Sequence, residues 1–115
     1  MNENKEETKI RIDKVTVKTI PDEIMQASTE HDDFMGIQAV AEVSYPIGQD
    51  GNRRLEWLTS GGIWGVNVYN EKSYIKTLIE EKLADLKSHL ERFNINTSSL
   101  PMFTIAGPYR DIIAI

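Results

Sequence analysis

The sequence predicts an α+β domain, a mostly antiparallel sheet of four or five strands packed against one long helix over about residues 71–94. Three observations carry that prediction. In residues 37–45 the apolar Ile37, Ala39, Ala41, Val43 and Tyr45 alternate with Gln38, Val40, Glu42 and Ser44, the two-residue period of a strand with one buried face. An Asp50-Gly51 pair then separates this run from a second alternating one, as a hairpin requires. Further on, Ile75, Leu78, Ile79, Leu83, Leu86, Leu90 and Phe93 recur at steps of three and four, with Lys76, Glu80, Lys87 and Glu91 opposite, the stripe of a helix with one wet side. The chain has 115 residues, 40% of them apolar, enough for one domain to bury a core without disulfides or metal.

Each element follows in order. Residues 1–7 are polar and charged and are expected to form a disordered arm, leaving 8–115 as the domain. Ile10 and Ile12 alternate with charged neighbours, and Val15 and Val17 continue in the opposite phase, so a bulge or tight turn is expected near Asp13-Lys14. Pro21 is expected to end this strand and to open one or two helical turns at their first position, with acids in the first turn. The remainder, up to Met35, reads as an exposed loop. After the strand over 37–45, a returning strand over 53–59 is expected to place Leu55, Trp57 and Thr59 on one side, with Trp57 on the face of Tyr45.

The stretch Thr59-Ser60-Gly61-Gly62-Ile63-Trp64-Gly65 raises the question of a phosphate-binding loop. Such loops work because they end at a helix N-terminus, where unpaired N–H groups face the anion. Here Trp64, Val66 and Val68 alternate as a short strand, and the helical pattern begins only near Glu71. The reading is therefore a turn or bulge whose missing side chains let Trp64 pack on the sheet. Asn70 or a neighbour is expected to cap the helix, and Asn94 with residues 96–99 to end it. The tail, over 102–106 and 112–115, is apolar and β-prone, and is expected either to add an edge strand to its own sheet or to be buried against another chain.

Composition narrows the function classes. With no cysteine, disulfides, thiolate metal sites and thiol nucleophiles are excluded. No run approaches the length of a membrane span and the N-terminus lacks the apolar region of a secretory signal, so a cytoplasmic protein without membrane association is expected. The net charge of −5 is confined to one segment: Asp22, Glu23, Glu30, Asp32 and Asp33 occur between Pro21 and Met35 without a Lys or Arg, and the other 13 acids match the 13 bases. An acidic balance disfavours nucleic acid, whose affinity depends on clustered Lys and Arg.

The series Asp32-Asp33-Phe34-Met35-Gly36-Ile37, then Leu58-Thr59-Ser60-Gly61-Gly62-Ile63-Trp64-Gly65, then Ser73-Tyr74-Ile75 leading into Leu83-Ala84-Asp85-Leu86-Lys87, resembles a group of small bacterial proteins of unknown function, some carried on phages and other mobile elements. The resemblance spans about residues 32–95 and implies the order of elements and a mobile-element origin, but no catalytic residue.

Candidate sites are few. His31 beside Glu30, Asp32 and Asp33 offers metal-ligand atoms but neither the spacing nor the glycine of a calcium loop, so no metal and no cofactor is expected. His89 follows Asp85 by one helical turn and reads as a surface pair. No serine sits in a nucleophile-elbow frame, so no enzyme activity is expected. The expected role is a non-catalytic protein-interaction module that binds a protein partner, basic in character, or a second copy of itself. Its binding surface is the acidic segment, with Asp22, Glu23, Glu30, Asp32 and Asp33 as partner-binding residues, and/or the apolar C-terminal strand. Two alternatives stand beside it. One is binding of single-stranded nucleic acid through Arg53 and Arg54 with Trp57, or Tyr109 with Arg110. The other is inhibition of a DNA-processing or defence enzyme by a phage or mobile-element protein.

Overall fold

A computed structural model describes residues 10–29, 33–48, 51–98 and 100–113, without the side chains of 28 and 29. The arm expected over 1–7 lies outside these residues. The elements run β1 (Arg11–Pro21), α1 (Glu23–Thr29), β2 (Phe34–Pro46), β3 (Arg53–Thr59), β4 (Ile63–Asn67), α2 (Lys72–Arg92), β5 (Phe103–Ala106) and α3 (Arg110–Ile113). They form the expected α+β fold, a five-stranded mixed sheet with one long helix.

The sheet is built around β2. On one side it pairs antiparallel with β1 over most of its length; on the other it pairs first with β4 and then with β3. β5 adds a parallel edge strand to β1, with Val15 beside Phe103 and Val17 beside Ile105. The apolar tail thus joins its own sheet, while Ile112 and Ile113 belong to helix α3 rather than to a further strand. Ala114 and Ile115 lie outside the described residues.

Register decides which side chains are buried. The β1–β2 ladder shifts between Ile12 and Lys14, at the expected bulge, so Ile12, Val15 and Val17 all face the helix side. That face also carries Ile37, Ala39, Ala41 and Val43, and α2 lays Ile75, Leu78, Ile79, Leu86 and Leu90 against it. Phe93, expected in the same stripe, is instead exposed as the helix C-cap and meets His89 edge-on at 5.3 Å. Asn94 then adopts φ 60° and Ile95 N–H donates to Leu90 O, which ends the helix where the sequence placed its end.

Two expectations are corrected and a third is made specific. Pro21 is the last residue of β1, paired with Met35, rather than the first of a helix. Its nitrogen faces the β5 side of β1 beyond Lys18, where the β5 ladder has ended, so the missing N–H costs no ladder bond. The cap of α2 is Glu71, the neighbour of Asn70 that the expectation allowed, without a side-chain bond, while Asn67 Oδ1 accepts Tyr69 N–H in the preceding turn. Trp57 lies on the face opposite Tyr45: Tyr45 stands across from Arg54 and Trp57 from Glu42. Leu58 takes the core position, packed beside the cluster of Ala41 and Val43, and Trp57 is 63% exposed.

Candidate functional site

The second face of the sheet carries no long helix, and at one end of it a local network of hydrogen bonds builds a groove. Asp22 begins the network. Its backbone N–H donates to Phe34 O as the last rung of the ladder, and its side chain then turns into α1, where Oδ1 accepts Met25 N–H at 3.1 Å. This is N-cap geometry, and it is why the helix starts at Glu23. The other oxygen, Oδ2, accepts Gly65 N–H at 2.7 Å. Asp22 is 8% exposed, so its charge is spent inside the fold on two backbone donors.

Gly65 is available to that oxygen because β4 bulges there. The pairing passes from Met35–Val66 to Ile37–Ile63 with one extra residue on β4, and Gly65 takes φ 70°, a conformation a side chain would strain. The bulge turns Trp64 onto the second face, where its ring covers Gly36; a Cβ at Gly36 would collide with ring atoms of Trp64. The same ring approaches Gly62, with Nε1 2.9 Å from where a Cβ would stand. The glycines thus make room for an indole, as the reading of the stretch 59–65 expects.

The rest of that stretch prolongs the sheet edge. Ser60 N–H donates to Ala39 O at 2.8 Å, Ser60 Oγ accepts Ala39 N–H at 2.9 Å, and Gln38 Nε2 donates to Ser60 O at 3.1 Å. Between the ladders of β3 and β4 Ser60 therefore still holds the chain to β2, and α2 begins only at Lys72. A polar recess of about 300 Å³ beside Gly61 is lined by both Arg92 and Asp85, whose opposite signs select no ligand charge. Asp85 pairs with Lys82 at 2.7 Å rather than with His89, which corrects the expected surface pair. Among the described residues no three His, Asp or Glu side chains gather as metal ligands.

The groove itself, about 780 Å³ and open to solvent, is lined by Ile20, Pro21, Ile24, Met25, Trp64 and Gly65 beside Asp22 and Glu23. Ile24 is 83% exposed and Trp64 54%. Among the described residues both charged lining residues are acids, and of the two only Glu23 is exposed. Of the five residues expected to bind a partner, the structure brings Asp22 and Glu23 to this groove. Asp33 is half-buried immediately before β2, where its carbonyl accepts Val68 N–H, and it is not among the lining residues of the groove. Glu30 and Asp32, like His31, lie outside the described residues. Reading the sequence for charge missed Ile24, Met25 and Trp64. Two adjacent apolar residues inside the acidic run that follows Pro21 were the available signal. Compared with protein-family models, with curated proteins and with solved structures, the chain finds no match.

Proposed function

We propose that the protein is a non-catalytic interaction module whose docking site is the groove between α1 and Trp64, and whose partner is a protein segment presenting a large apolar side chain flanked by Lys or Arg. One observation carries this reading: among the described residues, an open apolar groove bears only acidic charge on its lining. An apolar anchor gains from burial against Ile20, Ile24 and Trp64, at about 25 cal/mol per Å² removed from water. Glu23, at the rim, attracts the flanking bases and sets the approach rather than the affinity. Asp22 serves the site by holding α1 and the bulge in place. The resemblance to small proteins of phages and mobile elements makes a DNA-processing or defence enzyme, whose nucleic-acid surface is basic, a fitting source of such a segment.

An array of short peptides tests the reading, each holding one Leu, Phe or Trp flanked by Lys and Arg or by Glu and Asp. The basic set is expected to bind and the acidic set to fail, with binding weakened about tenfold or more by Ile24→Lys and by Trp64→Ala. Equal capture of both sets, or indifference to both substitutions, would sink it.

A second reading has its own observation. Lys14, Lys18 and Trp57 share the helix-free face with Trp64, because Lys14 and Trp57 both stand opposite Glu42 and Lys18 stands opposite Gln38. Bases interleaved with indoles suit single-stranded nucleic acid. Binding of an oligothymidine that falls with salt and with Trp57→Ala would favour it over the protein partner.

A further inference from the structure

We infer that the protein forms a symmetric dimer by antiparallel pairing of the outer edge of β3 with the same edge of a second copy, in one register fixed by Arg54 and Glu56. The inference is independent of the groove, which lies at the opposite end of β2's pairing.

Among the described residues no strand lies beyond β3. Which of its backbone groups face outward follows from two bonds of its inner ladder: Ile47 N–H donates to Asn52 O and Ser60 N–H to Ala39 O. Both pairs belong to the register that sets Tyr45 opposite Arg54 and Val43 opposite Glu56. Hydrogen-bonded and non-bonded pairs alternate along an antiparallel ladder, so Arg54, Glu56 and Leu58 bond inward and Arg53, Leu55, Trp57 and Thr59 direct N–H and C=O outward. A second copy must bond to that outward set, which restricts symmetric registers to those differing by steps of two residues per strand pairing.

Charge then selects among them. With Leu55 opposite the second copy's Leu55, Arg54 stands opposite the second copy's Glu56, and Glu56 opposite its Arg54. The neighbouring register in one direction sets Arg54 against Arg54, and in the other Glu56 against Glu56, and like charges directly opposed are unfavourable. Within one chain Arg54 Nε already lies 3.2 Å from Glu56 Oε1, and both side chains are substantially exposed. In the favoured register the four charges therefore alternate in sign around the twofold axis. On the other face the same register buries the exposed Leu55 against its copy and sets Trp57 beside the second copy's Arg53, whose side chain is anchored to Ser44 O at 2.9 Å. Unpaired edges of this length are otherwise shielded in natural sheets, and self-pairing is one way to shield them.

Sedimentation equilibrium over a concentration series tests the inference on the full chain and three variants. The wild type is expected as a dimer. Arg54→Glu and Glu56→Arg are each expected to raise the dimer dissociation constant about tenfold, since each sets two like-charge pairs across the axis. The double variant R54E/E56R restores both oppositions and is expected to return to within about threefold of the wild type. Both side chains are exposed in the single chain, and matching circular dichroism confirms that all four proteins are folded. A wild type that stays monomeric at every concentration overturns the inference. So does a dimer that ignores both single substitutions, and so does a double variant as weak as the singles.

Discussion

At the residue scale, Asp22 shows how a side chain marked by sequence as a surface charge becomes a structural hinge. Both its oxygens accept backbone N–H groups from different elements, α1 and the β4 bulge. Asp22→Asn keeps one acceptor and loses the charge, whereas Asp22→Ala leaves two partly buried donors without partners. Lost caps cost roughly 0.5–2 kcal/mol and unsatisfied buried donors about 1–3 kcal/mol, so Asp22→Ala is expected to lower stability in urea melts by the larger sum and Asp22→Asn by less. Equal stability of both variants with the wild type would remove the hinge. Gly36 offers a sharper case, because its missing Cβ is the space that Trp64 occupies. Gly36→Ala is expected to cost about 1–3 kcal/mol through overpacking. Combined with Trp64→Ala, which empties that space, the same substitution is expected to cost far less; additive losses in the cycle would show that the ring is not what excludes the methyl.

At the element scale, the long helix and the strands were legible where one period dominates. The stripe from Ile75 to Leu90 docks as its spacing requires, and the phase change after Ile12 is the bulge it implies. What failed were faces and ends. The sequence of β3 offers two plausible apolar faces, Leu55 with Trp57 or Leu58 alone, and only the register set across the hairpin tells them apart. The larger face lost because β2 turns its small residues, Ala39 and Ala41, toward α2, and leaves the indole outside. Two substitutions measure this. In the R54E background, where self-pairing is weakened, Leu86→Ala, in a buried site, is expected to cost about 2–5 kcal/mol in chemical denaturation, whereas Trp57→Ser is expected to change stability by less than about 0.5 kcal/mol. A Trp57→Ser loss comparable to that of Leu86→Ala would return Trp57 to the core. The groove was illegible for a related reason: α1 and β4 are some forty positions apart in the sequence, and the bond from Gly65 to Asp22 that joins them has no local signature.

At the scale of the whole molecule, the sheet is asymmetric. One face is closed by α2 and carries the core; the other has no long helix, so Lys18, Trp57 and Trp64 stay exposed on it while Val40 and Ser44 are buried beneath their neighbours, with the groove at the Trp64 end and the outer edge of β3 at the other. Charge follows the same division, since the acids of α1's entry stand at the groove while Lys14 and Lys18 lie along the face beyond it. A dimer through β3 would carry two grooves at its outer ends, so a bivalent target is expected to bind with greater apparent affinity than a single peptide, and R54E to remove that gain without changing affinity for the single peptide. The groove as docking site is the claim on which the functional account depends. In a Trp57→Phe variant the only tryptophan left is Trp64, and its emission during titration with a Leu-centred, Lys-flanked peptide reports that site directly. The account predicts a saturable blue shift, abolished by Ile24→Lys, as the indole leaves water for the bound side chain; saturable binding with the Trp64 emission unmoved would contradict it.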